Sequence, residues 1–180
     1  MVTWFTLVIS IVVLQRLIEL LIAKRNTRYA KAAGGYEIGK EHYPLMVLLH
    51  VSFFFSLILE TSLKGNLQIK PVPVFLTIFL IAQILRIWVL ATLGKMWNTR
   101  VFIIPNSKPV TGGPYRYVKH PNYLLVITEI ATLPLAFGAI GTAIIFSVLN
   151  LLVLKKRIRV EEEGLNKIPA FNQHFKTTNY

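Results

Sequence analysis

Two short polar segments of this chain carry the side chains most able to bind a charged ligand. The segment at residues 113–123, GPYRYVKHPNY, contains three tyrosines, one histidine and two other basic residues. The segment at residues 155–165, KKRIRVEEEGL, contains three adjacent glutamates in a chain with only eight acidic residues and no aspartate. Carboxylates attract a positive centre, and tyrosine rings offer it their negative faces. Together, these residue types favour a polar cofactor that carries a positive charge.

The backbone around His120 indicates how its side chain is presented. His120 precedes Pro121, and a residue before proline avoids the α region. Pro121 itself suits the first turn of a helix. We therefore predict that a helix begins at about residue 122 and that the imidazole of His120 lies at its N-terminal end.

An apolar run at residues 123–154 separates the two polar segments and determines where they meet. It is too long for a single crossing of a bilayer, and Pro134, Gly138 and Gly141 mark a break near its middle. Two crossings of about 17 residues span roughly 25 Å out and 25 Å back. This hairpin therefore returns the two polar segments to the same membrane face.

The composition is that of a membrane protein. Hydrophobic residues make up 54% of the 180 residues and charged residues 16%, whereas soluble domains average about 25% charged residues. A transmembrane helix needs about 20 apolar residues. We predict an all-α integral membrane protein, a single domain over residues 1–180, with a cytosolic C-terminal segment. Five transmembrane helices are predicted at about residues 4–23, 43–62, 72–94, 122–138 and 140–157, with cytosolic cofactor-binding segments at residues 95–121 and 155–180.

The positive charges define the predicted orientation. Of the 20 lysines and arginines, 16 fall in the first connector, the third connector and the C-terminal tail, which five crossings place on one side. Cytoplasmic loops carry the excess of lysine and arginine, so we predict an external N-terminus and a cytosolic C-terminus. The same distribution indicates that the net charge of +12 attracts anionic membrane lipid rather than nucleic acid.

Four charged residues lie inside the apolar spans. Arg16 and Glu19 are three positions apart, and we predict a local ion pair between them. Arg86 and Glu129 each lie about eight residues, or roughly 12 Å, from the predicted cytosolic helix ends, where charged groups face a partner or a cavity. Either they pair and hold the third and fourth helices together, or Arg86 faces a pocket open to the cytosol and binds an anion.

Neither a metal site nor a phosphate-binding loop is predicted. The four histidines occur without cysteine or aspartate and without H-E-x-x-H spacing, and the chain has no P-loop or G-x-G-x-x-G motif. His42 and His50 flank the start of the second helix. We interpret them as interfacial or packing groups, with substrate contact as the alternative.

Three motifs occur in the order LRIWVLATLGKMWNTRV, TGGPYRYVKHPNYL and RIRVEEEGL. In this order they resemble the isoprenylcysteine carboxyl methyltransferase family of integral membrane enzymes. The resemblance implies S-adenosylmethionine as cofactor, bound on the cytosolic side between the last helices and the C-terminal segment. It matches Arg86 to an arginine near the reacting anion, so Arg86 is the predicted catalytic residue, and Arg86 and Glu129 are the predicted substrate contacts. The predicted cofactor-binding residues are Tyr115, Lys119, His120, Tyr123, Arg157, Glu161 and Glu162.

The resemblance has two departures and one refinement. A glycine often follows the tyrosine by two positions in the family, where this chain has Leu125. The family usually has arginine where this chain has Lys119, and lysine keeps the charge but not the bidentate geometry. The first half, with QRLIELLIAKRN and GKEHYPLMVLLH, is similar to short bacterial members, some of which resemble O-methyltransferases of long-chain alkylpyrones made by type III polyketide synthases. The resemblance thus implies methyl transfer to a lipophilic acceptor, either an isoprenylcysteine-like carboxylate or a long-chain alkylpyrone hydroxyl.

Two other functions stay open at this point. Membrane reductases of the sterol-reductase type share a similar histidine-proline-asparagine-tyrosine block and use NADPH, but they are typically longer and have more helices. A non-enzymatic membrane scaffold with a polar cytosolic face would bind neither cofactor.

Overall fold

The computed structural model describes residues 3–68 and 70–169 of the chain. Within these residues helices dominate, as predicted: α1 Trp4–Ala32, α2 Tyr43–Leu63, α3 Pro73–Leu93, α4 Pro121–Ala136 and α5 Ile140–Leu165. Two short strands, β1 Tyr36–Ile38 and β2 Val101–Ile103, form an antiparallel sheet that the all-α prediction did not include. Residues 170–180, the end of the predicted cytosolic C-terminal segment, lie outside the described residues.

Three helical stretches of the described chain are long and apolar enough to cross a membrane: Trp4–Ala32, Lys40–Leu63 and Pro73–Met96. The other two helices form a shorter hairpin. α4 has 16 residues, and the apolar part of α5 ends at Lys155. The hairpin predicted from the break near Pro134 is therefore present, with its turn at residues 137–139.

Two helices extend past the apolar sequence that predicted them. α1 continues to Ala32 rather than residue 23, and α5 continues to Leu165 rather than residue 157. Alanine, lysine, arginine and glutamate are good helix formers, and no proline interrupts either extension. The second polar segment is therefore the last part of α5 rather than a separate connector. As a result, Arg157 and Glu161 lie one turn apart on the same face of one helix.

The five helices pack unevenly. α4 lies between α3 and α5, and α2 packs on α5, whereas α1 rests mainly on the turns at Asn66–Gln68 and Gly94–Met96. Aromatic rings join the helices away from the polar segments, with Phe53 and Phe146 5.6 Å apart between ring centroids. Because α1 leans on these turns rather than on α2, a cavity remains between the two helices.

A buried asparagine and the small sheet hold the loop after α3 in place. Asn26 of α1 is 1% exposed, and its Nδ2 donates to the carbonyl oxygens of Gly94 at 3.0 Å and Trp97 at 2.7 Å. On the other side, Gly164 of α5 packs closely on the sheet, since a Cβ there would collide with the Ile38 side chain. The loop that carries the first polar segment is thus fixed against both α1 and α5.

Glu60, near the end of α2, caps the start of α5. Its carboxylate accepts hydrogen bonds from the Gly141 amide at 3.1 Å and from the Thr142 amide and hydroxyl at 2.7 Å each. Lys64 donates to the same carboxylate at 2.6 Å.

In Glu60→Gln the side-chain amide NH₂ group would face these hydrogen-bond donors in place of a carboxylate oxygen. We therefore expect this substitution to lower the free energy of unfolding by about 1–2 kcal/mol. Thermal unfolding in detergent measures the loss, with the exposed Glu163→Gln as control, and equal effects in both variants would contradict the capping role.

Candidate active site

A polar pocket of about 160 Å³ lies where the loop after α3 meets the ends of α4 and α5. Six of the seven predicted cofactor-binding residues line this polar pocket, although two polar segments far apart in sequence supply them. The seventh, Glu162, contacts two of these residues but does not line the pocket itself. The six lining residues are Tyr115, Lys119, His120, Tyr123, Arg157 and Glu161.

Tyr123 links a cation and an anion in the wall of the polar pocket. Arg157 donates from Nε to the Tyr123 hydroxyl oxygen at 2.9 Å, and its guanidinium carbon lies 5.7 Å from the tyrosine ring centroid. The Tyr123 hydroxyl in turn donates to the Glu161 carboxylate. This chain of hydrogen bonds fixes the orientation of all three side chains and joins the start of α4 to the end of α5.

Glu162 ties the first polar segment to α5 beside the pocket. Its Oε1 lies 3.0 Å from His120 Nε2 and 2.7 Å from Lys119 Nζ. The His120 ring also stacks on Tyr123 with centroids 5.3 Å apart. Burial alone would raise the pKa of Glu162, but the hydrogen bonds and charges of Lys119 and His120 outweigh burial and hold this pKa below its usual value. At neutral pH the carboxylate is therefore ionised and keeps the histidine and lysine together.

Tyr115 keeps its proton in this setting. Burial, followed by the nearby charge of Glu161, raises the pKa of the Tyr115 hydroxyl well above its usual value. At neutral pH this hydroxyl therefore stays a hydrogen-bond donor at the edge of the polar pocket.

An apolar cavity of about 360 Å³ lies between α1 and α2, and residues of α3, α4 and α5 complete its wall. Aliphatic and aromatic side chains, such as Val13 of α1, Val51 of α2 and Val126 of α4, form most of its wall. Several of those at the outer edge are exposed, including Leu17 and Val51 at 53% and 62%. The polar side chains on its wall include Arg16, Glu19, His50, Arg86, Glu129 and Asn150.

The polar pocket and the apolar cavity share part of their walls. Trp97, Asn98, Asn122, Tyr123 and Arg157 line both. Two buried polar atoms in this shared wall, Asn122 Oδ1 and Trp97 Nε1, have no hydrogen-bond partner among the described residues. Because unpaired buried polar atoms are costly, these atoms indicate a place where a polar ligand supplies the partners.

Arg86 and Glu129 pair directly. Arg86 donates to the two carboxylate oxygens of Glu129 from Nε at 2.7 Å and from Nη2 at 2.5 Å. Arg16 bridges Glu129 at 2.7 Å and Glu19 at 2.6 Å. We call these four residues, Arg16, Glu19, Arg86 and Glu129, the ion cluster. It joins α1, α3 and α4, and its two cations and two anions carry no net formal charge.

Sequence reasoning did not assign several polar residues of these walls to a site, Asn98 among them. Trp97 and Asn122 lie within the motif blocks, but an indole and an amide carry no charge that singles them out. Asn150 lies in an apolar run of α5. The sequence favours an interfacial or packing role for His50, with substrate contact as the alternative, and the structure places it in the wall of the apolar cavity.

Comparison with known proteins supports the relationship that the motifs suggest. The model of the isoprenylcysteine carboxyl methyltransferase family matches residues 75–167, which include every residue of the polar pocket. The chain is 38% identical over 163 residues to a Bacillus subtilis (strain 168) protein, the uncharacterized YpbQ, and the match covers 91% of this chain and 97% of that protein. It is 30% identical over 155 residues to an uncharacterized Haemophilus influenzae protein, with 85% and 90% covered.

No solved structure matches this chain. The family match nevertheless covers the loop after α3, α4 and α5, which together build the polar pocket and the wall that it shares with the apolar cavity. The relatives extend the similarity to nearly the full length of the chain. The protein therefore belongs to the isoprenylcysteine carboxyl methyltransferase family, whose members are membrane methyltransferases.

Proposed function

We propose that this protein is an S-adenosylmethionine-dependent O-methyltransferase that acts on a lipophilic acceptor at the cytosolic membrane face. The shared wall of the two cavities is the observation that carries the proposal. Methyl transfer requires the reacting atoms to lie about 3–3.5 Å apart with water excluded. The polar pocket and the apolar cavity meet at Tyr123 and Arg157. This arrangement suits a polar methyl donor in the pocket and a lipophilic acceptor in the cavity.

The residues of the polar pocket fit the proposed cofactor. S-adenosylmethionine, when bound, supplies a methyl group on a positively charged sulfur. Glu161 and the ring of Tyr123 line the pocket and can balance positive charge there. Asn122 Oδ1 and Trp97 Nε1 offer an acceptor and a donor that have no protein partner among the described residues. The hydrogen bonds of Glu162 hold His120 and Lys119 against α5 and thereby keep the pocket in shape.

The charges near the shared wall suit an acceptor oxygen that becomes anionic. Arg157 is 8% exposed, and Glu161 reaches it through the Tyr123 hydroxyl. Its positive charge can therefore stabilise an oxyanion in a site with little water. Arg86, which the resemblance assigns to the acceptor, is already paired with Glu129. In this proposal Arg86 and Glu129 form the polar part of the acceptor wall, where an acceptor oxygen competes with Glu129 for the guanidinium.

The proposed arrangement in the membrane has an external N-terminus and a cytosolic C-terminus, with the α4–α5 hairpin as the last two crossings. The concentration of lysine and arginine in the first and third connectors and in the tail supports this orientation. The polar pocket then opens on the side where S-adenosylmethionine is available, and the apolar cavity lies at the depth of the lipid chains. We place the protein in a bacterial plasma membrane.

Calorimetric titration of the detergent-solubilised protein with S-adenosylmethionine and with NADPH tests the proposal. We expect binding of S-adenosylmethionine and no binding of NADPH, because the polar pocket matches the methyltransferase family.

Glu162→Ala is expected to weaken the binding of S-adenosylmethionine by about tenfold, since His120 and Lys119 lose their shared carboxylate. The exposed neighbour Glu163→Ala is the matched control.

Each rival function has its own outcome in this titration. A membrane reductase of the sterol-reductase type would bind NADPH, and a scaffold would bind neither cofactor. Either result contradicts the proposed methyl transfer.

A further inference from the structure

His50 presents a basic nitrogen to the apolar cavity. Its Nδ1 lies 2.8 Å from the backbone carbonyl oxygen of Met46. A carbonyl oxygen can only accept, so Nδ1 carries the hydrogen and Nε2 of the neutral ring keeps its lone pair. The residue lines the cavity, and Nε2 has no hydrogen-bond partner among the described residues.

This nitrogen lies close to the shared wall. Arg157 Nη1 is 2.8 Å from the sulfur of Met46, which puts Met46 at the level of that wall. His50 follows Met46 by one turn of α2, a rise of about 6 Å. The imidazole is therefore on the acceptor side of the shared wall, about one helical turn from the level of Arg157.

Asn150 of α5 offers a complementary group across the cavity. α2 and α5 are in contact at two levels, through Met46 and Arg157 and through Phe53 and Phe146. His50 and Asn150 both fall between these contacts, at a similar height on their helices. Asn150 is 2% exposed, lines the apolar cavity, and has no hydrogen-bond partner for Nδ2 among the described residues. Besides the charged side chains on its wall, the apolar cavity thus contains one acceptor nitrogen and one donor nitrogen at a similar level.

From this pair we infer that His50 is the base of the proposed methyl transfer and that the acceptor is a neutral, weakly acidic hydroxyl on an apolar body. Asn150 would donate to a second oxygen of the same molecule. This inference rests on the proposed function and narrows its substrate class. A carboxylic acid, with a pKa near 4, is ionised at neutral pH and needs no base, so a carboxylate acceptor would leave His50 without a role.

The step balances with the groups present. The oxygen–methyl bond forms while the sulfur–methyl bond breaks, and the sulfur keeps the bonding electron pair as a neutral thioether. The hydroxyl proton moves to His50 Nε2 and then leaves to water. Arg157 stabilises the negative charge that develops on the acceptor oxygen.

Charged groups from every neighbouring helix face this cavity. They are Arg16 and Glu19 from α1, Arg86 from α3, Glu129 from α4 and Arg157 from α5. Within the ion cluster two positive charges balance two negative charges. The positive charge of Arg157 on the cavity wall is not balanced by the carboxylates of this cluster. Protonation of His50 during transfer therefore coincides with the appearance of an oxyanion between the two groups.

Two acceptors of equal chain length test the inference: 4-dodecylphenol, with a neutral hydroxyl, and dodecanoic acid, with a carboxylate. We expect the wild-type protein to methylate the phenol, with a rate that rises with pH and levels off once the imidazole is neutral. His50→Gln should lower kcat/KM for the phenol by about 10²–10⁴-fold, with unchanged affinity for S-adenosylmethionine. Its rate should keep rising at high pH, where the phenol ionises by itself.

A binding experiment without methyl transfer gives an independent readout. In the absence of S-adenosylmethionine, we expect the wild-type protein to bind 4-dodecylphenol about tenfold more tightly than its methyl ether, which has no proton to donate. The difference should disappear in His50→Gln. His42→Gln is the matched control, because His42 lies in the turn before α2 and does not line either of the two cavities.

The outcomes are distinct. If the protein methylates dodecanoic acid and the His50→Gln variant is as active as the wild type, the inference is overturned. Failure to methylate the phenol when S-adenosylmethionine binds also overturns it. Absence of S-adenosylmethionine binding overturns the proposed function itself, and this inference with it.

Discussion

Replacing Arg157 with alanine is expected to slow methyl transfer by about 10²–10³-fold, the usual effect of removing one oxyanion donor. Arg157 is buried in the wall shared by the two cavities and donates to the Tyr123 hydroxyl. Its charge acts where water is scarce, and electrostatic interactions are stronger there than in water. The substitution also frees Tyr123, so we expect a smaller loss of cofactor affinity alongside the loss of rate.

Transfer of a labelled methyl group from S-adenosylmethionine to 4-dodecylphenol and to dodecanoic acid measures this effect. Arg157→Lys keeps the positive charge but loses the planar guanidinium with its paired N–H donors. We expect its rate to lie between those of the wild type and Arg157→Ala. Arg159→Ala, an exposed cation two residues along the same helix, controls for the general loss of positive charge. A near-normal rate in Arg157→Ala, or an equal loss in Arg159→Ala, would remove Arg157 from the reaction.

The helices were predictable from the lengths of the apolar runs, but the C-terminal ends of α1 and α5 were not. Hydropathy falls at about residue 23 of α1 and residue 154 of α5, whereas helix propensity continues through the charged residues that follow. The glutamates at 161–163 therefore lie on a helix that also carries Arg157. The short sheet was missed because three-residue strands leave almost no alternating pattern to detect.

The polar pocket was predictable because one geometric constraint decides it. A hairpin brings the start of its first helix back to the level that its second helix reaches after a similar number of residues, whatever the details of packing. In the structure Tyr123 contacts Glu161 and His120 contacts Glu162, across that hairpin. Residue type and hairpin length therefore predicted that the two polar segments meet, whereas the individual cofactor-binding residues were assigned through the family resemblance.

The apolar cavity could not be predicted in the same way. It depends on α1 leaning on turns rather than on α2, and on α2 bringing Met46 to Arg157. The ion pair of Arg16 with Glu19 was predictable from their spacing on one helix. The contact of Arg16 with Glu129 joins residues far apart in the sequence, so it depends on how the helices pack. Local spacing thus reveals pairs on one helix and leaves clusters between helices hidden.

The ion cluster leads to the second large effect, which concerns stability. Arg86→Met alone leaves Glu129 buried at 6% exposure with Arg16 as its remaining cation. Glu129→Met alone leaves two arginines with one carboxylate, since Glu19 lies 3.6 Å from Arg86 and already pairs with Arg16. Breaking a buried ion pair costs about 3–5 kcal/mol, whereas replacing both partners with apolar residues is often close to neutral. We therefore expect each single variant to unfold at a much lower temperature in detergent. The double variant should recover most of the loss, because Arg16 and Glu19 still balance each other.

Turnover of the same three variants separates a structural role of the pair from a role toward the acceptor. If Arg86 and Glu129 form the polar part of the acceptor wall, the double variant stays inactive although it is folded and binds S-adenosylmethionine with normal affinity. The polar pocket is built by α4, α5 and the loop after α3, and neither Arg86 nor Glu129 lines it. A stable double variant with normal turnover would assign the pair to the packing of α3 against α4. Arg157 and His50 would then be the charged and basic groups through which the protein handles its acceptor.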